Sequence, residues 1–248
     1  MTKTLVPGAV LCALLAACGN GPVQPESEAS TTTLPSGGVY RGTVEPGRRA
    51  TLLVLFNGTA YLFYGGASPG RGGVVVALNG KQSGGGLFSA GARDYSLQAG
   101  KVAPGSLAVD FSKSPAIDGF MTPSAADAAK LHFSATADQM LGQVPSFGSM
   151  AGLYSGRAGS MRGTIGSRIT VTQDGRLAGT TTIGCDFTGT VAPRDGVNAY
   201  NVSITFGPAP CPAAGESATG NAVLDGAHLL AALPSTDRSD IFVFDGSK

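Results

Sequence analysis

The chain has 248 residues, and its 17 Lys and Arg nearly balance 16 Asp and Glu, for a formal charge of +1. Such balance without a basic stripe argues against nucleic acid as a partner. The 38 glycines are about twice the usual frequency of ~7% and are spread along the chain, as turns between short strands require.

The first element is a targeting segment. Lys3 supplies a minimal positive region, and Leu5 to Leu15 form a short apolar run interrupted by Pro7 and Gly8. That run falls short of the ~20 residues a stable membrane-spanning helix needs. Leu15-Ala16-Ala17-Cys18 follows it: Leu, two small residues and a thiol. The pattern resembles the lipobox of bacterial lipoprotein signals, which implies cleavage before Cys18 and acylation of its sulfur. Residues 1–17 are therefore expected to be a signal peptide. Gly19 stands where members of that class destined for the inner membrane carry Asp, so the resemblance implies anchoring in the outer membrane. Several acyl chains, at ~0.8 kcal/mol per buried methylene, would hold the protein firmly.

Residues 18–37 combine the lipidated Cys with Pro, Glu, Ser, Thr and Gly. They have too little apolar surface to order themselves, and are expected to act as a tether reaching about 25 Å.

Two similar halves follow. Gly38-Val39-Tyr40-Arg41-Gly42 recurs as Gly152-Leu153-Tyr154-Ser155-Gly156. Each start leads into a polar stretch, a strand, an Asn-Gly or Asp-Gly turn and another strand. Strands are predicted near 39–44, 51–56, 60–65, 73–78, 86–98, 106–111, 117–121 and 131–136. In the second half they fall near 152–157, 168–173, 177–183, 186–192, 199–206, 218–224, 228–233 and 241–245. Tyr200, Val202, Ile204 and Phe206 alternate with polar residues, the period of a strand with one buried face. Asn57-Gly58, Asn79-Gly80, Asp174-Gly175, Asp195-Gly196 and Asp225-Gly226 tolerate the positive φ of tight turns and are read as ending strands. One helix is predicted over Ala125 to Lys130, with Ser124 and Asp127 as a capping pair.

The fold class is therefore all-β: two small antiparallel β-barrel lobes over 38–145 and 146–248, with β-sandwiches as the alternative. Closure into barrels removes exposed strand edges. Residues 138–150 are read as the connection.

Four cysteines divide cleanly. Cys12 leaves with the signal and Cys18 takes lipid. Cys185 and Cys211 remain in an exported chain and are read as a disulfide. A metal pair is the rival, but no His or third thiol lies at ligand spacing.

The order of several features resembles a group of uncharacterised proteobacterial lipoproteins. They are Phe88 with Arg93-Asp94-Tyr95, a Pro145-Ser146 joint before Gly152 to Gly156, Cys185 with Phe187 to Thr190, Cys211, and Arg238-Ser239-Asp240. The resemblance spans most of 38–246 and implies architecture, with no active site to transfer. A looser similarity, of architecture alone, is to surface lipoproteins of the transferrin-binding and complement-factor-binding kind.

Motifs for chemistry are sparse. There is no Gly-x-Ser-x-Gly elbow, Ser-x-x-Lys, His-Glu-x-x-His or Walker loop, and Gly70-Arg71-Gly72-Gly73 lacks the helix a phosphate site needs. His132 is read as solvent-facing without a partner, and His228 as the start of a strand. Asp237 and Asp240 flank Arg238 in a hairpin loop. The reading is a turn whose Arg pairs locally, and the functional alternative is a carboxylate pair; Arg93-Asp94 is treated likewise. Tyr40 and Tyr154 are read as packing residues, and Phe63-Tyr64 and Phe242 to Phe244 as core or lobe interface. The absence of Trp argues against a carbohydrate stacking platform.

Arg41, Arg48 and Arg49 beside the first strand are a possible anionic contact, and the first lobe carries nine basic against six acidic residues. No metal site and no cofactor is expected. The expected function is a non-enzymatic interaction or binding module of the cell envelope. Its partners would be the membrane, through the lipid, and an envelope or host protein. A small-ligand carrier with a lipocalin-like cup is one alternative, and a structural or lytic-enzyme-inhibiting protein another.

Overall fold

The computed structural model describes residues 37–65, 72–138 and 144–248. The signal segment, Cys18, the tether as far as residue 36 and Arg71 lie outside these residues. Sixteen strands form two closed antiparallel barrels of eight, each a simple up-and-down meander whose last strand pairs with its first. Barrel 1 contains β1 (Gly38–Val44), β2 (Arg48–Val54), β3 (Ala60–Tyr64), β4 (Gly73–Gln82), β5 (Leu87–Ser96), β6 (Lys101–Asp110), β7 (Ala116–Pro123) and β8 (Leu131–Ala137). A single turn of helix, α1 (Phe147–Met150), precedes barrel 2. That barrel contains β9 (Gly152–Ser160), β10 (Gly163–Val171), β11 (Arg176–Thr181), β12 (Asp186–Pro193), β13 (Tyr200–Phe206), β14 (Ser217–Asp225), β15 (His228–Pro234) and β16 (Ile241–Ser247). Both barrels belong to one compact unit.

Alternation builds each interior. In β5, Phe88, Ala90 and Ala92 are buried while Leu87, Ser89 and Gly91 are exposed. Barrel 1 is filled by Leu52, Leu62, Val75, Phe88, Leu107 and Phe133, all fully buried. Barrel 2 is filled around Tyr154, Phe187, Tyr200, Ile204, Leu233 and Phe244. With apolar side chains inward and residues such as Ser89, Thr188 and Thr190 outward, the pattern is the inverse of a membrane-spanning barrel, whose outward band is apolar.

The repeated Gly-x-Tyr-x-Gly start has a physical explanation. Tyr40 and Tyr154 point into their barrels and are buried, as read from the sequence. The Tyr154 hydroxyl donates to the Met150 carbonyl at 2.7 Å, which ties α1 across one mouth of barrel 2. The second glycine of each repeat lies where first and last strands close. A Cβ on Gly42 would run into the Ser134 backbone, and one on Gly156 into that of Asp245.

Two local expectations need correcting. Residues 124–130 form bends and turns, not a helix, and all are exposed. A six-residue segment with no buried face gains nothing to offset helix nucleation. The four-residue α1 forms instead because Met150 enters the barrel 2 core and Ser146 caps it, accepting from the Ser149 N–H. Likewise Asn79-Gly80 does not end a strand. It is a bulge inside β4, with the register to β5 shifting between Leu78 and Lys81. Asn79 takes a φ of 57°, and the Phe88 ring occupies the space a Gly80 side chain would need.

Cys185 and Cys211 are joined in a disulfide across 26 residues. It ties the loop between β13 and β14 to the turn before β12.

Candidate functional site

The apolar runs that do not alternate locate the surface where the barrels meet. β3 is buried at all five positions. Ala60, Leu62 and Tyr64 face the barrel 1 interior, while Tyr61 and Phe63 face outward into a second apolar layer. Leu53, Val74, Val76 and Tyr95 join them from barrel 1, and Ala199, Val223, Ala232, Ile241 and Val243 from barrel 2. The outer walls of the barrels therefore pack on each other, with Phe63 in that seam and Phe244 in the barrel 2 core. Burying outward faces of β2 to β4 explains their nearly continuous hydrophobicity.

The seam is riveted by the loop between β15 and β16. Arg238, at a φ of 59°, sends Nη2 to the Val76 carbonyl at 3.1 Å. Its own carbonyl accepts from Arg93 Nη1 at 2.5 Å and from the Tyr95 hydroxyl at 3.1 Å. The local pairing expected for Arg238 is therefore replaced by a link between barrels. Asp237 and Asp240 form no carboxylate pair for chemistry. Asp237 Oδ1 accepts from Ser235 and from the Ser239 N–H, and Asp240 Oδ1 accepts from the Met161 and Ile241 N–H groups. Serine hydrogen bonds hold the Asp237 carboxyl down at about 2.

Beside this rivet a cleft of about 590 Å³ opens between the barrels. Tyr61 and Leu78 line it from barrel 1. Thr190, Ser203, Thr219, Asn201 and Asn221 line it from the outer wall of barrel 2, and Arg238 from the loop. Thr190, Ser203 and Thr219 are direct neighbours across three strands. Asn221 Nδ2 donates to Asn201 Oδ1 at 3.0 Å, which also accepts from Arg194 Nη1 at 2.6 Å. Burial pushes the Tyr61 phenol up to about 12, against the downward pull of Arg194 and Arg238. It is therefore a neutral donor at any physiological pH. Nothing in the sequence separates these residues from other strand positions; only the pairing of outer walls brings them together.

The three arginines expected to form one basic rim have separate fates. Arg41 is held between Asp138, at 2.8 Å, and Asp225 of barrel 2, so its charge is met within the molecule. Arg48 turns inward at a mouth of barrel 1. It lies 5.2 Å over the Tyr64 ring, and its Nη2 donates to the Glu45 carbonyl at 3.2 Å. There Tyr64 donates to Asp94 Oδ1 at 2.6 Å, and burial pushes the Asp94 carboxyl above its usual range. Arg49 is exposed.

His132 is not without a partner. Its Nδ1 meets Glu45 Oε1 at 2.9 Å, its Nε2 lies 3.8 Å from Asp118, and its ring stacks on Phe120 at 4.6 Å. Ser134 donates to Asp118 at 2.7 Å instead of to the ring, so these groups do not form a nucleophile–base pair. His228 does open a strand, and its Nε2 pairs with Asp245 Oδ1 at 2.7 Å. Among the described residues, no group of three or more His, Cys, Asp or Glu side chains converges to hold a metal ion.

No family model and no curated protein matches the chain. Among solved structures, a protein of unknown function from Nostoc punctiforme, of the DUF3598 family, is 13% identical. That alignment covers 88% of this chain and 98% of the other, with a TM-score of 0.31. A Bacteroides fragilis protein provisionally described as an outer membrane protein is 12% identical over 85% of this chain and 95% of its own, with a TM-score of 0.26.

Proposed function

We propose that the chain is a lipid-anchored protein of the outer membrane whose fused barrels serve as a non-enzymatic binding module, with the inter-barrel cleft as its working surface. The observation that carries the binding reading is the division of surfaces. Both barrel interiors are packed with their own side chains, and the apolar outer faces are spent on each other. A concave cleft of ligand size, lined by hydroxyl and carboxamide groups among apolar side chains, remains beside the seam. The same packing counts against the lipocalin-like cup, because Leu52, Leu62, Phe88 and Phe133 occupy the space a ligand would take. Anchoring is supported by the short apolar run and Leu15-Ala16-Ala17-Cys18, and placement in the outer membrane by Gly19. A non-enzymatic role is favoured because both histidines pair with carboxylates on outer walls, away from the cleft.

Metabolic labelling tests the anchor. Radiolabelled palmitate is expected in the native chain and absent from Cys18→Ser, and globomycin is expected to leave a larger, uncleaved product. An unlabelled native chain of unchanged size would overturn the anchoring. Protease treatment of intact cells then reports the facing side, with digestion of the barrels expected if the partner is a host protein.

A further inference from the structure

We propose that the inter-barrel cleft binds a carboxylate-bearing sugar, such as a hexuronic acid residue. Tyr61 and Arg238 would meet the carboxylate, and the hydroxyl and carboxamide wall of barrel 2 would meet the ring hydroxyls. This rests on reading the molecule as a binding module and is independent of the lipid anchor.

Two side chains of the lining point to a ligand. Tyr61 is only 3% exposed and lines the cleft, where its hydroxyl is the polar end of a ring otherwise packed in the seam. Arg238 commits Nη2 to Val76 and also lines the cleft, bringing its positive charge to it. The phenol and the guanidinium thus line one space.

The lining selects the ligand class. Arg238 is its one charged residue and no carboxylate faces it, so a single negative charge is favoured. One guanidinium suits a carboxylate better than a phosphate dianion, which calls for more positive charge. The rest of the wall is neutral: Thr190, Ser203 and Thr219 in register across adjacent strands, with the Asn201–Asn221 pair beside them. Groups that both donate and accept match a polyhydroxylated body, and Leu78 and Pro234 offer apolar contact for C–H faces. Recognition here is by hydrogen bonds and charge, which needs no Trp stacking platform.

The test is calorimetric titration of the detergent-solubilised full-length protein with glucuronate, glucose and acetate. Glucuronate is expected to bind at least tenfold more tightly than either of the others, because only it carries both features. Tyr61→Phe keeps the ring in the seam and removes only the hydroxyl, and is expected to weaken glucuronate binding about tenfold. Arg238→Lys, which keeps the charge but loses the planar guanidinium fork that suits a carboxylate, is expected to weaken it by a similar factor. Far-UV circular dichroism checks that each variant is folded. If Arg238→Lys fails to fold, Tyr61→Phe decides. Equal binding of glucose removes the carboxylate from the proposal, equal binding of acetate removes the sugar, and either overturns it. So does absence of glucuronate binding, or binding that a folded Tyr61→Phe leaves unchanged. Those failures leave the anchor standing, since palmitate incorporation is read at Cys18.

Discussion

Arg238 Nη2 reaches across the seam to the Val76 carbonyl at 3.1 Å, joining a hairpin tip of barrel 2 to the wall of barrel 1. The bond comes from a residue held at a φ of 59°, a conformation that non-glycine residues adopt at a cost of about 1–2 kcal/mol. Its backbone carbonyl, taken by Arg93 and Tyr95, explains why that cost is tolerated. Arg238→Ala is expected to destabilise the protein by about 1.5–3 kcal/mol, the usual loss for a hydrogen bond from a charged donor. Arg238→Gly loses the same bond but relieves the strain, and is expected to cost about 1 kcal/mol less. Urea unfolding of both variants checks the order; an Arg238→Ala curve matching the native one would reject the rivet.

The Cys185–Cys211 bond closes a span of 26 residues that includes the loop between β13 and β14. The chain-entropy description assigns such a closure about 3 kcal/mol. The Cys185→Ser, Cys211→Ser double variant is expected to melt roughly 6–12 °C lower under oxidising conditions. The reductant dithiothreitol should shift the native protein by a similar amount and leave the double variant in place. Equal melting temperatures without reductant would show that the bond contributes no net stability.

The strands were legible because alternation and turn residues are local. Tyr200 to Phe206 places four side chains inward by period alone, and Asp225-Gly226 needs only its two-residue hairpin to be recognised. The Cys185–Cys211 pair was legible by elimination. What sequence could not carry is the choice of outer walls that meet. Tyr61 and Phe63 look like any apolar strand residues until barrel 2 covers them, and Arg238 looks like a turn arginine until Val76 is placed beside it. Residues 124–130 misled for the opposite reason: good helix formers remained unhelical because no surface was there to receive them.

Closure of each barrel depends on one glycine per repeat. A side chain on Gly156 would strike the Asp245 backbone where β9 meets β16, whereas a Cβ on Gly91 meets nothing within 4 Å. Gly156→Ala is therefore expected to destabilise by about 1–3 kcal/mol, the range for overpacking that forces the backbone to shift. Gly91→Ala should stay within about 0.5 kcal/mol of the native protein. Thermal unfolding of the two variants side by side is the measurement, and equal melting temperatures would remove the glycine from the closure.

His228 links strand pairing to pH. Its Nε2 sits 2.7 Å from Asp245 Oδ1, and that hydrogen bond raises the imidazole above its ordinary value of 6.5, helped by the charges of Asp245 and Asp225 and opposed by burial and Arg41. A histidine whose folded value is raised stabilises the fold fully below its unfolded value. The contribution is lost as pH climbs through the folded value. The pair is partly exposed, with 39% and 48% of the side-chain surfaces open, so screening limits its worth to about 1 kcal/mol or less. His228→Gln is thus expected to cost more stability at pH 5.5 than at pH 8.5, and an NMR titration of the His228 ring should give a midpoint above that of the unfolded chain. A stability difference between native and His228→Gln that stays constant over that interval would show that the proton is not shared with Asp245 in the way the geometry requires.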